Sequence, residues 1–186
     1  MNESLVTRIT QLKKEKWQDY QLAFHYIAYS YYDVITDYTE GRFQISFIKK
    51  SLATPYEKIP DDSDKLFQPW WDDVKSWGIT DDEELLIAVI ETSVEAYNNR
   101  LRVTELWVDD KYRRKGVANA LMDIAIKRAK DEKRRAIILE TQSCNEGAIS
   151  FYLNYGFSLI GFDLCAYQNN DIARKEVRME MGMFLS

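Results

Sequence analysis

The sequence predicts a mixed α/β (α+β) fold in a single domain, and three observations carry that prediction. Two stretches with helical spacing of apolar residues, near 116–130 and 145–155, alternate with short β-rich runs. No internal repeat, linker or low-complexity block interrupts the 186 residues, a length that suits one domain of roughly 100–200 residues. Hydrophobic residues make up 46% and aromatic residues 13% of the chain, enough to bury a sizeable core.

The elements follow in order. Residues 4–9 read as a short opening strand, and a helix is expected from about Lys13, with Trp17, Tyr20, Phe24 and Ile27 at three- and four-residue steps. Residues 42–52 alternate, with Phe43, Ile45 and Phe47 on one face, as a strand does; Pro55 and Pro60 then open an acidic loop. Residues 66–77 read as a short helix whose Trp70, Trp71 and Trp77 either line a cleft or cap the core. Two β-rich runs, 85–94 and 101–108, are joined by the turn-like Tyr97-Asn98-Asn99-Arg100 and predict an antiparallel hairpin. The helix that begins near Gly116 places Val117, Ala120, Leu121, Ile124 and Ala125 on one stripe. Residues 136–140 suit a buried strand, and a short helix from about Asn145 stops before Gly156, which sits where a helix-ending glycine belongs. Strands over 157–162 and 175–184 finish the chain, the second alternating Val177, Met179, Met181 and Met183.

Composition removes several function classes. A formal net charge of −5 argues against a dedicated nucleic-acid binder. The two cysteines, Cys144 and Cys165, lack the paired spacing of a zinc or redox motif and point to a reducing compartment. No apolar run approaches the ~20 residues of a membrane helix, so a cytoplasmic protein is expected. A single histidine, His25, excludes sites that need two imidazoles. It lies in the aromatic-rich stretch 20–32, which reads as a packed helix, and a structural role is preferred to a catalytic one. The seven glycines form neither Gly-x-Gly-x-x-Gly nor Gly-x-x-x-x-Gly-Lys, so no dinucleotide or Walker phosphate loop is supported, and no metal site is expected.

The chemistry is concentrated at Val108-Asp109-Asp110-Lys111-Tyr112-Arg113-Arg114-Lys115-Gly116-Val117-Ala118, between a strand and a helix. A helix N-terminus presents unpaired N–H groups and the positive end of its dipole, a geometry suited to a pyrophosphate. Gly116 allows close backbone approach, Ala118 keeps the wall low, and Arg113, Arg114 and Lys115 add cationic character. An ordinary basic loop before an amphipathic helix would look the same.

Arg113-Arg114-Lys115-Gly116-Val117-Ala118 resembles the Arg/Gln-x-x-Gly-x-Gly/Ala acyl-CoA motif of the GNAT superfamily of N-acetyltransferases. A second block, Glu140 to Gln142, then Asn145-Glu146-Gly147-Ala148, then Phe151-Tyr152 and Gly156-Phe157, resembles the family's strand, Asn-x-x-Ala and Phe-Tyr-x-x-x-Gly-Phe. The resemblance covers about residues 80–185 well and the N-terminal third in element order alone. Leu139-Glu140-Thr141-Gln142, Ile160-Gly161-Phe162-Asp163 and Tyr167 extend it toward streptothricin acetyltransferases. It implies one N-acetyltransferase domain over 1–186, with a mixed central sheet flanked by helices and the acetyl-CoA motifs within 104–157.

The resemblance further implies roles. Backbone groups of Leu106, Trp107 and Val108 would pair with the pantetheine arm of acetyl-CoA, and amides of Arg114, Lys115, Gly116, Val117, Ala118 and Asn119 would hold its pyrophosphate. Asn145 would contact the cofactor arm, and it is equally placed to cap a helix. Tyr152 would protonate the departing thiolate. Glu140 or Glu105, each in an apolar strand where burial raises a carboxyl pKa, would take the amine's proton. Cys144 suggests an acyl-cysteine route, but no histidine neighbours it in sequence and the family transfers directly in a ternary complex.

The implied reaction is acetyl transfer to a primary amine of a small cationic substrate of the streptothricin type, without nucleic acid or membrane partners and with a homodimer left open. A protein N-terminal or lysine acetyltransferase and a non-catalytic acyl-CoA-binding module are the alternatives. The charge layout has two sides: residues 57–84 hold ten acids and three bases, whereas 111–135 hold ten bases and three acids. The basic segment is expected around the polyanionic cofactor and the acidic one toward a cationic acceptor, unless both are simply solvated faces.

Overall fold

The computed structural model describes residues 5–59 and 64–185. Among them the strands are β1 (Thr10–Leu12), β2 (Tyr26–Thr39), β3 (Arg42–Lys58), β4 (Lys75–Thr80), β5 (Leu86–Glu95), β6 (Arg100–Val108), β7 (Ala136–Gln142), β8 (Ser158–Asp163) and β9 (Arg178–Phe184). The helices are α1 (Lys14–Trp17), α2 (Val117–Asp131), α3 (Glu146–Tyr155) and α4 (Asp171–Arg174). The expected mixed α/β fold is present: a mixed sheet flanked by helices. The chain groups into two compact units, residues 1–24, 60–139 and 183–186 in one and 25–59 and 140–182 in the other.

In the first unit β1, β4, β5 and β6 are antiparallel neighbours in that order, and β6 then pairs in parallel with the start of β7, from Arg100↔Ala136 to Arg102↔Ile138. Strand β5 has a neighbour on each edge and α2 packed on it, so it is buried from Leu86 to Val94. Helix α2 buries Val117, Leu121 and Ala125 of the expected stripe, together with Met122, while Ala120 and Ile124 are half-buried. Buried polar groups of β5 are satisfied in place: Thr92 Oγ1 donates to the Lys75 carbonyl and Ser93 Oγ to the Asp72 carbonyl. Arg128, buried on α2, donates to the Thr92 carbonyl at 3.0 Å and to its Oγ1 at 2.8 Å, and pairs with Asp73 and Glu132. Burial opposes ionisation of Glu132, but Arg128, Arg134 and Lys75 outweigh it and bring its carboxyl down to about 2. A further cluster gathers Leu12, Trp17, Leu22, Leu66, Phe67, Leu86, Val89 and Trp107. The Trp107 indole N–H donates to the Ala23 carbonyl at 3.0 Å.

In the second unit β2 and β3 form a long hairpin closed at Thr39↔Arg42, and β8 pairs antiparallel with β9. Glu146, in the first turn of α3, accepts from Ser30 Oγ on β2 and from Lys49 Nζ on β3. The Tyr26 hydroxyl donates to Gln142 and the Tyr56 hydroxyl to Glu176. These bonds hold the base of the hairpin, whereas its far end leaves Phe43 80% exposed against Tyr38, with ring centroids 4.7 Å apart.

Several local expectations are corrected. The helix expected from Lys13 stops at Trp17, and Tyr26–Thr39, dense in aromatic and β-branched residues, pairs as a strand instead. His25 therefore lies in no packed helix; it is partly exposed and bonds Glu57 at 2.8 Å. Residues 5–8 form a 3₁₀ turn, and the first strand begins at Thr10; residue 4 lies outside the described residues. The strand expected to end at 52 runs on to Lys58 through Pro55. Proline is tolerated there because the register jumps between Ser51, opposite Ser30, and Tyr56, opposite Ala28. Pro60 lies outside the described residues. No helix covers 66–77: Phe67 and Asp73 adopt left-handed φ values of 57° and 43°, and Trp77 belongs to β4. The hairpin β5–β6, the strand β7, both later helices and the two final strands stand where they are expected, within two or three residues at their ends.

Arg128→Ala strips a buried cation from three partner residues, so urea denaturation is expected to register a loss of about 3–5 kcal/mol. The depressed Glu132 carboxyl adds stability that is present above its ordinary value of 4.5 and lost as pH falls toward about 2. Glu132→Gln should flatten the dependence of stability on pH in that window.

Candidate active site

Strand β6 departs from regular pairing. Glu91 of β5 faces Glu105 and the next residue, Thr92, faces Val103, so Thr104 is one residue too many on β6. Such a bulge bends a strand and re-aims its side chains. The parallel ladder to β7 ends two residues earlier, at Arg102↔Ile138. Past the bulge, Glu105 and Leu106 are half-buried and Trp107 and Val108 buried.

The loop after β6 is tied to it. Asp109 accepts from the Lys111 N–H at 2.9 Å and caps a single 3₁₀ turn, Asp110–Tyr112. Arg113 Nε donates to the Val108 carbonyl at 3.0 Å, and its guanidinium pairs with Asp110 at 2.8 Å. Arg113 thus folds the loop back onto the end of β6. Lys115 lies over the Tyr112 ring, 5.2 Å from its centroid.

Arg114 at φ 58° and Gly116 at φ 78° turn the chain into α2. A Cβ on Gly116 would meet no protein atom within 4 Å, so its φ demands the glycine and the space before it stays open. No side chain caps α2, whose first amides, Val117 to Asn119, have no acceptor within the helix. Ala120 is the first to bond back, to the Gly116 carbonyl at 3.1 Å. Open amides, a dipole's positive end and a bare glycine fit a pyrophosphate.

The second unit carries the other residues. Asn145 Oδ1 accepts from the Ala148 N–H at 3.1 Å, which realises its capping role. Helix α3 ends at Gly156, φ 111°, where the Gly156 and Phe157 N–H groups bond the Tyr152 carbonyl. The Tyr152 side chain is packed among Phe151 and Phe157, with centroids 5.4 and 5.9 Å away, and the residue is 8% exposed. Glu140 departs from expectation. It is exposed between buried Leu139 and Thr141, with Oε2 paired to Arg178 at 3.0 Å and Oε1 accepting from the Tyr167 hydroxyl at 3.5 Å. The reason is the pleat, which sends its side chain away from the face shared by its neighbours. Burial, and then the Glu140 carboxylate, push the Tyr167 hydroxyl up, which keeps it a donor. Burial also pushes the Cys144 thiol up, which removes the thiolate an acyl-cysteine route needs.

The first unit thus offers uncapped backbone amides at the start of α2, and the second offers the Glu140 carboxylate and the Tyr152 phenol. Residues 45–157 match the acetyltransferase (GNAT) family. This chain belongs to that family. The protein is an acetyl-CoA-dependent N-acetyltransferase.

The acetyltransferase is 31% identical to a streptothricin acetyltransferase of Escherichia coli over 163 residues, 86% of this chain and 83% of that one. It is 35% identical over 81 residues to streptothricin acetyltransferase A of Bacillus subtilis, covering 41% of this chain and 47% of that one. Its fold is similar to that of a crystallised nourseothricin acetyltransferase, with a TM-score of 0.76 and 24% identity over 96% of this chain and 98% of the other. A Bacillus anthracis protein described as a streptothricin acetyltransferase, solved with acetyl coenzyme A, gives 0.73 at 22% identity over the same shares.

Three residues of the acetyltransferase escape a reading by motif. Glu91 is a lone acid closing an apolar run, a visible signal of a special position. Thr104 and Arg178 carry no such signal, because a register jump and an ion pair spanning 38 positions arise only in three dimensions. Gly116→Ala should cost about 1–2 kcal/mol, since a left-handed φ strains any residue with a Cβ. A calorimetric titration with acetyl-CoA should show weakened binding for the same variant.

Proposed function

We propose that this acetyltransferase moves acetyl from acetyl-CoA to a primary amine of a small cationic compound of the streptothricin type, by direct transfer in a ternary complex. The observation that carries this reading is the likeness to a streptothricin acetyltransferase along 86% of the chain. Residues 1–186 act in it as one catalytic domain.

Backbone groups of Leu106, Trp107 and Val108 receive the pantetheine arm along the segment of β6 past its bulge. Amides from Arg114 through Asn119 hold the pyrophosphate, Arg113 keeps the loop folded on Val108, and Asn145 both caps α3 and meets the cofactor arm. The amine nitrogen forms a bond to the acetyl carbon as the carbon–sulfur bond breaks. Tyr152 gives its hydroxyl proton to the departing thiolate, and a carboxylate takes the proton from the amine.

Glu140 and Glu105 are the two carboxylates for that last step. Glu140 is exposed to a cationic acceptor, with its direction fixed by Arg178 and Tyr167. Glu105, half-buried beside the bulge, is the other.

Purified protein with acetyl-CoA and streptothricin should release CoA thiol, and a panel of polyamines and peptides should release far less. Absence of release with streptothricin at millimolar amine would remove that acceptor class. Tyr152→Phe should lower kcat about 10²–10⁴-fold, the contribution of a positioned acid. Of Glu140→Gln and Glu105→Gln, the variant that removes the acidic limb of the pH–rate profile identifies the base.

A further inference from the structure

We propose that Glu91 is a positioning residue for acetyl-CoA: its carboxylate holds Thr104, the extra residue of β6, and so sets the backbone of residues 105–108. The proposal rests on the reading that this backbone receives the pantetheine arm.

Glu91 is 0% exposed in the middle of β5, the most buried strand of its unit. Its carboxylate accepts from Thr104 Oγ1 at 3.0 Å and from the Phe67 N–H at 2.8 Å, and among the described residues no cation pairs with it. A carboxyl there carries a desolvation cost that a leucine or methionine of similar volume would not. The benefit must then lie in what its two oxygens hold. One holds the residue that makes the bulge. The other holds Phe67, whose φ of 57° is a left-handed conformation that a side chain of this size adopts only under constraint. Phe67 in turn shares an apolar cluster with Trp107, three residues beyond Thr104 on β6. The segment is therefore gripped twice, at the Thr104 hydroxyl by Glu91 and at the Trp107 side chain by the cluster that Glu91 helps to shape. Burial pushes the Glu91 carboxyl up to about 7, against the effect of its two hydrogen bonds, as expected of a carboxyl with no countercharge.

The experiment measures acetyl-CoA affinity by calorimetry with no acceptor present. Glu91→Gln keeps the volume but turns an amide toward a donor, and Thr104→Val keeps the shape but deletes the hydroxyl. Each should raise Kd about tenfold or more, equivalent to about 1.4 kcal/mol. The double variant should be no worse than the worse single one, because both remove one shared bond. In steady state, KM for acetyl-CoA should rise while KM for the acceptor stays level. Ser93→Ala is the control: it also deletes a buried hydrogen bond of β5, to Asp72, and should lower the melting temperature without changing Kd. Kd within twofold of wild type in Thr104→Val overturns the proposal, as does an equal rise in Ser93→Ala. If Glu91→Gln does not fold, Thr104→Val carries the test alone. Wild-type protein that fails to bind acetyl-CoA would sink the cofactor reading itself, a result distinct from an unchanged Kd in the variants.

Discussion

One surplus residue in β6 is the constraint on which the candidate site depends. An uninterrupted antiparallel pairing of β5 with β6 would keep every second side chain of 103–108 on one face. With Thr104 inserted, that alternation is broken at the point where the parallel ladder to β7 has already ended, at Arg102↔Ile138. The same strand then delivers its last residue, Val108, to a loop anchored on it through Arg113. The loop ends in two left-handed residues that start α2 with its first amides uncapped. Strand register, loop closure and helix start are therefore one chain of causes, and a slip of β6 by one residue would move all three.

Electrostatics separate into structural and chemical parts. The segment 111–135 looks like a basic collar for a polyanion, yet much of its charge is spent within the fold. Arg128 is buried on Thr92, Asp73 and Glu132, Arg134 pairs with Glu132, Lys127 with Asp131, and Arg113 with Asp110. The start of α2 instead presents its own uncapped N-terminus, with Arg114 and Lys115 beside it. This suits a site that needs geometry more than net charge, since backbone amides point in fixed directions and long cationic side chains do not. Outside both charged segments, Glu140 is oriented by an arginine and a tyrosine from later in the chain.

The same economy governs the second unit. Asn145 caps α3 at one end and Gly156 closes it at the other, so the helix is defined by two residues that belong to the recognisable motif. Glu146, one position after the cap, binds both strands of the long hairpin. A motif read for its cofactor contacts is thus also the anchor for β2 and β3. The Tyr152 ring packs in an aromatic group with Phe151 and Phe157, which restricts its rotamer.

By itself the sequence determined the elements whose signals are local. The stripe of α2, the cap and closing glycine of α3, the β5–β6 hairpin around Asn98-Asn99, and the two motif blocks are all short-range patterns, and each stands where it was expected. Tertiary structure decided what depends on partners far along the chain. The helical spacing of Trp17, Tyr20, Phe24 and Ile27 runs on past residue 26, yet Tyr26–Thr39 is a strand because β3 is there to pair with it. Glu140 was expected to be buried and is exposed, because the pleat of β7 and the position of Arg178 decide its surroundings. Glu91 stands out in the sequence as a lone acid after an apolar run, but the bulge at Thr104 that it holds is legible only as a register between two strands. Local patterns report the backbone's preferences over one or two turns; burial, register and ion pairs report where other segments end up, which no window of sequence contains.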